Sequence, residues 1–174
     1  SLRGDARITV EVRTLAGNKH SGQYGGAAPD ALVVLITALA SLYDEHGDVA
    51  VAGLRREEWS GESYTDDEFR RLAEIEPGLP IVGTGGIGSK NWSGPGITVL
   101  GIDCPAVDGA AAAVQSYARA VINVRVHPEQ PAAEAQEIHV PPPPFSEGVF
   151  PCSDCHDPEL PVNTNRRELS LAHE

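Results

Sequence analysis

The chain has 174 residues, 13 basic against 25 acidic side chains for a net charge of −12, and 41% apolar residues with only nine aromatics. That balance excludes a nucleic-acid surface, which needs clustered Lys and Arg, and it leaves a core of Val, Leu, Ile and Ala. No apolar run approaches the roughly 18–20 residues of a membrane helix; the longest, Ala31 to Ala40, already contains Thr37.

Arg7-Ile8-Thr9-Val10-Glu11-Val12-Arg13 alternates polar and apolar residues, which predicts a strand with one wet face. Leu15 to Ala28 is Gly-rich and irregular. Pro29-Asp30 opens a predicted helix that runs to about Tyr43 and is ended by Gly47. Tyr64-Thr65-Asp66-Asp67-Glu68 reads as a cap with an acidic first turn, leading a helix to about Ile75. Gly83 to Gly88 reads as loop. Ile97 to Ile102 is a second predicted strand and Ala118 to His127 a third. In the third, Ala118, Ala120, Ile122, Val124 and Val126 share one face, with Arg119, Val121, Asn123 and Arg125 on the other. Cys104, without an obvious partner, is expected to be a small buried residue. Pro128 to Gln136 begins another predicted helix, and the proline run Pro141–Pro144 cuts it off.

The composition changes sharply at Gln136. Residues 1–136 hold 17 of the 18 glycines, while residues 137–174 hold two of the three cysteines and three of the six histidines. Two modules are therefore expected, 1–136 and 137–174. There is no methionine and the first residue is Ser1, without the apolar core of a secretory signal, so the chain is expected to come from inside a longer protein.

His20-Ser21-Gly22-Gln23-Tyr24-Gly25-Gly26 lies between the first strand and the first helix, where a scaffold displays functional side chains on a loop. Taken alone, a His beside Ser-Gly reads first as a surface loop histidine. No Cys or Asp nearby has metal-ligand spacing, and no carboxylate is placed to orient a Ser–His pair. The run from Leu2-Arg3-Gly4 through Asn18-Lys19-His20-Ser21-Gly22 to Pro29 resembles the M20 family of zinc metallopeptidases, in particular their lid or dimerisation domain. Trp92-Ser93-Gly94-Pro95-Gly96 through Asp103, and Ala118-Arg119-Ala120 with Val124-Arg125-Val126-His127-Pro128, continue the resemblance in order over about residues 2–136.

The resemblance implies an α+β fold, a two-layer antiparallel sheet with helices on one face, as in an incomplete ferredoxin-like lid. It implies a homodimer formed through a sheet edge and a helix, acting on small peptides or N-acyl amino acids in a complete enzyme. His20 would be the catalytic donor, reaching across the dimer to the developing oxyanion, and Arg125 would bind the substrate carboxylate. Related lids carry an Asn-Thr-Leu-x-Pro segment on the substrate; here the positions read Ala112-Ala113-Val114-Gln115-Ser116, with neither Asn nor Pro. Zinc is expected only in a catalytic domain outside this sequence, so the chain alone is not expected to hydrolyse peptides. The lid part would be cytoplasmic, with neither nucleic acid nor membrane as partner.

Cys152-Ser153-Asp154-Cys155-His156 has the C-x-x-C-H spacing of covalent c-type haem attachment, with two thiols for the vinyl groups and His156 for the iron. A zinc site using Cys152, Cys155 and two of His139, His156 and His173, or a plain dithiol, is compatible with the same residues. Val140 to His156, with Asn165-Arg166-Arg167-Glu168-Leu169 and His173, resembles one segment of a multihaem cytochrome c. That resemblance implies haem c, electron transfer, His173 or His139 as second axial ligand, and an extracytoplasmic location. The two modules look incomplete at one joint, which a chimera of two fragments fits best, with a natural fusion or a misreading of one half as the alternatives.

Overall fold

A computed structural model describes residues 3–135, so Gln136, the proline run, His139, the Cys152–His156 motif and His173 lie outside the described residues. In chain order the elements are β1 (Gly4–Arg13), β2 (Lys19–His20), α1 (Ser21–Tyr24), α2 (Ala31–Ala40), α3 (Asp66–Leu72), α4 (Ile87–Asn91), β3 (Gly96–Asp103), β4 (Ala113–Val114), β5 (Tyr117–Val126) and α5 (Ala132–Ala135). The described residues fall into two compact units, one of 3–6, 42–98 and 123–135, the other of 7–41 and 99–122.

Three strands form a sheet in the order β1-β5-β3. Side-chain contacts give its sense. Asp5 meets Asn123 and Arg125 while Glu11 meets Tyr117; Gly96 lies against Arg125 while Asp103 meets Arg119. Numbers rise on one strand as they fall on its neighbour, so both pairings are antiparallel. The alternation read from the sequence holds in β5: Ala118, Ala120, Ile122, Val124 and Val126 are each at most 2% exposed, while Arg119 and Arg125 are exposed. Ala6, Val10 and Val12 of β1 are buried as well. The edge strand β3 differs. Val99, Leu100 and Ile102 remain 37–49% exposed, apolar residues on both sides of an unpaired ladder.

Helix α2 begins where Asp30 Oδ1 accepts the N–H groups of Leu32 at 2.9 Å and Val33 at 3.2 Å, satisfying two orphan donors. Its buried residues, Ala31, Val34, Leu35, Ala38 and Leu39, follow the i, i+3, i+4, i+7, i+8 pattern of a core-facing stripe. Val33 and Ile36 lie 55% and 52% exposed. The helix stops at Ala40, short of the predicted Tyr43, because Tyr43 bridges Val49 in antiparallel fashion. Between them Asp44 Oδ1 accepts from the N–H of His46 and of Asp48, both at 2.9 Å, and Gly47 has φ +82°. Gly47 is the left-handed corner of that turn rather than the helix stop.

Thr65 and Glu68 form the reciprocal capping box of α3. The helix ends at Leu72, three residues before the predicted Ile75, where Glu74 takes φ 53°. Two further expectations are corrected. The Gly83–Gly88 stretch read as loop leads into α4, anchored by buried Ile87. Cys104, expected to be buried, is exposed, because it follows the edge strand into an open turn. Among the described residues no helix is long and apolar enough to cross a membrane.

Candidate functional site

His20 closes a short antiparallel ladder in which Lys19 pairs with Val114 and His20 with Ala113; the Ser21 N–H then donates to the Ala112 carbonyl at 2.9 Å. The irregular stretch read from the sequence thus contains β2 and α1. His20 is also the N-cap of α1, its Nδ1 accepting the Gly22 N–H at 3.1 Å. An Nδ1 that accepts carries no proton, so the neutral ring is protonated at Nε2. His20 is exposed, and the anchored ring therefore offers one oriented N–H donor. A Cβ on residue 22 would lie 2.9 Å from His20 Cε1, so a side chain there would push the ring out of this position. Gly26, at φ +90°, turns the chain out of the motif.

The backing of this ladder is not visible in the sequence. Asn18 Oδ1 accepts from the Ser116 N–H at 2.9 Å and the Ser116 hydroxyl at 2.8 Å. Asp30 uses its second oxygen, Oδ2, to accept the Gln115 N–H at 2.9 Å, and the Ala31 N–H reaches the Gln115 carbonyl at 2.8 Å. Two short polar side chains flanking the motif therefore tie it and the start of α2 to residues 112–116.

Arg125 lies on the exposed face of β5, its Nη1 3.7 Å from Asp5 Oδ2, and Asp5 also accepts from the Asn123 amide. The pair is about half exposed on each side, which makes it a weak tether. Beside it stands Arg3, which lies at the start of the run that resembles the M20 family but has no role implied by that resemblance. Its Nη1 donates to the carbonyls of Lys90 at 3.4 Å and Gly94 at 3.3 Å. Burial, and then the nearby Arg125 charge, pull the Arg3 guanidinium below its ordinary value. A Cβ at Gly96 would stand 3.2 Å from Arg3 Nη1 and 3.8 Å from Arg125 Cβ, which puts both arginines against this glycine. His20 and Arg125 belong to different compact units.

Asp48, in the same unit as Arg125, is the centre of another polar cluster. Its Oδ1 accepts from Arg56 Nη1 at 2.7 Å, and its Oδ2 from the Thr84 N–H at 2.8 Å and hydroxyl at 2.6 Å. Burial alone would raise this carboxyl; the Thr84 and Arg56 hydrogen bonds outweigh it and hold the pKa at about 2. Among the described residues no group of three or more His, Cys, Asp or Glu side chains stands together to hold a metal ion.

Residues 3–139 match the peptidase dimerisation domain of the M20 type. Over 136 residues the chain is 39% identical to a cysteinylglycine-S-conjugate dipeptidase of Corynebacterium striatum, covering 76% of this chain and 30% of that protein. In fold it is similar to human carnosine dipeptidase 1 (TM-score 0.62, 19% identity, 78% of this chain and 31% of that one). It is similar also to an M20 family metallo-carboxypeptidase of Sulfolobus solfataricus (TM-score 0.61, 18% identity, 78% and 38%). The chain thus spans about a third of the length of the proteins it matches.

Proposed function

Because the chain belongs to the M20 peptidase dimerisation domain family, we propose that it is the lid and pairing surface of a zinc-dependent hydrolase of small peptides or N-acyl amino acids, working as a homodimer. The observation that carries this reading is the anchored His20 ring, which holds an Nε2–H donor ready for charge that appears only in the transition state. In this reading the donor reaches the partner subunit's reaction centre, and the Arg125 guanidinium grips the substrate carboxylate. Zinc would be held by a catalytic domain of the complete enzyme, as the M20 relatives imply.

Pairing is supported by α2 and residues 99–103 of β3, which belong to one compact unit and leave Val33, Ile36, Val99, Leu100 and Ile102 exposed. An open ladder flanked by apolar side chains is a template for a second copy. Sedimentation should show a dimer at micromolar concentration, and Leu100→Lys with Ile102→Lys should weaken it at least about tenfold, since charge on a buried edge opposes pairing. A wild-type monomer at tens of micromolar would sink the pairing claim.

A second reading concerns the tail and rests on one observation, the Cys152-Ser153-Asp154-Cys155-His156 spacing outside the described residues. There we propose one covalent c-type haem with His156 as first axial ligand and His173 or His139 as second, giving an extracytoplasmic electron-transfer module. Expression with haem-maturation machinery should then yield a haem band that survives acid-acetone extraction and disappears in Cys152→Ser/Cys155→Ser. Colourless protein under those conditions, or stoichiometric zinc instead, excludes it.

A further inference from the structure

One cavity of about 460 Å³ lies wholly within the unit that contains Arg125. Its volume falls within the range of small-molecule sites. Three cations line it, Arg3, Arg56 and Lys90, against a single carboxylate, Asp48, in a chain whose net charge is −12. Asp48 is engaged by Arg56 and Thr84, so one cation and the one anion of the wall cancel. Arg3 and Lys90 have no carboxylate partner among the described residues; Lys90 Nζ reaches only the Gly83 carbonyl, at 3.4 Å.

Arg3 holds the backbone through Nη1 alone. That leaves the Nε–Nη2 edge, the edge that grips a carboxylate through two parallel hydrogen bonds. One stretch of the wall, with Phe69, Ile75, Leu79, Ile81 and Val82, is apolar, and part of it is wet: Leu79 and Val82 are 56% and 68% exposed. Positive charge without a counter-ion, beside apolar side chains open to water, fits an amphiphilic anion. The free Arg3 edge matches the two oxygens of a carboxylate, and the apolar side chains beside it match the body of a monocarboxylate.

We propose that this cavity binds an apolar monocarboxylate, its carboxylate held by Arg3 and Lys90 and its body against Leu79, Val82 and Phe69. Neither His20 nor Arg125 is a ligand here, and the site stands whether or not the roles given to them above hold.

The test titrates the full chain with 4-phenylbutyrate and with the isosteric 4-phenylbutanamide, followed by calorimetry or amide NMR shifts. The acid should bind one to one, with resonances of Leu79, Val82 and Gly83 moving, and the amide should bind at least about tenfold more weakly because it lacks the charge. Added salt should weaken the acid only. Lys90→Gln should lower affinity for the acid about threefold to tenfold and leave the amide unchanged. Arg3→Gln should lower it further, but it also frees the carbonyls of Lys90 and Gly94, so Lys90→Gln is the deciding variant. Equal binding of acid and amide, no binding of either at millimolar concentration, or a folded Lys90→Gln protein that binds the acid as before would each overturn the assignment.

Discussion

A hydrolase carrying this domain is expected to lose about 100- to 1000-fold in kcat when His20 becomes Ala, with KM changed little. The ring is fixed from both sides: the β2–β4 ladder holds its backbone, and the Gly22 N–H holds Nδ1. A donor positioned in advance costs no reorganisation when negative charge develops, so its removal is felt in the chemical step rather than in binding. His20→Ala also removes the cap of α1, and His20→Asn separates the two roles. The shorter amide side chain can still accept the Gly22 N–H through its oxygen, but it cannot place a donor where Nε2 stands. The measurement grafts residues 3–135 in place of the matching segment of the 39%-identical dipeptidase and follows dipeptide hydrolysis. Both variants should lose kcat alike. If His20→Asn keeps kcat within about threefold of the parent, the ring is a cap and not a catalytic donor. Mixing His20→Ala subunits one to one with subunits lacking a metal ligand should restore about a quarter of the parent activity, because half the dimers then hold one complete site.

The second large effect is on folding. Asp48→Ala should cost about 3 kcal/mol, since it strands the Arg56 guanidinium and two Thr84 donors in a site where the Asp48 side chain is only 9% exposed. The same carboxylate makes stability depend on pH with a definite sign. Its folded pKa of about 2 lies below the ordinary 3.8, so its contribution is complete above 3.8 and is lost as pH falls through 2. Over that window the shift corresponds to about 2 kcal/mol. Urea unfolding of parent and Asp48→Asn proteins at pH 5, 3.5 and 2 should therefore show a gap that closes toward pH 2. A gap that stays constant would mean that Asp48 titrates alike in the folded and unfolded chains.

The parts of this fold that are legible in the sequence are those where burial imposes a period. The alternation in β5 and the stripe of α2 can be read directly, because each writes its buried face into the residue order. The end of α2 cannot, because Tyr43 finds a partner in Val49, a tertiary pairing that overrides local helix preference. β2 and β4, two residues each, are too short to carry a period. α4 is hidden by glycines, with Ile87 as its one large buried anchor. The site divides in the same way. The His20 motif is legible from its Ser and Gly neighbours, but its tautomer follows only from the Gly22 N–H. Arg3 is illegible because it answers to main-chain carbonyls 87 and 91 positions away, which any residue there would supply.

Residues 112–116 are held chiefly through their peptide groups. The Ala112 carbonyl takes the Ser21 N–H, the Gln115 N–H and carbonyl meet Asp30 and Ala31, and the Ser116 N–H and carbonyl meet Asn18 and Thr14. A support read through the backbone is blind to most side-chain replacements. Replacements at Ala112 and Ala113 should therefore leave His20 in place, whereas proline at 115 or 116 would delete an N–H that Asp30 or Asn18 accepts. Mutational tolerance at these two positions is uncoupled from the geometry they uphold: side chains can change there while the peptide groups go on fixing the histidine.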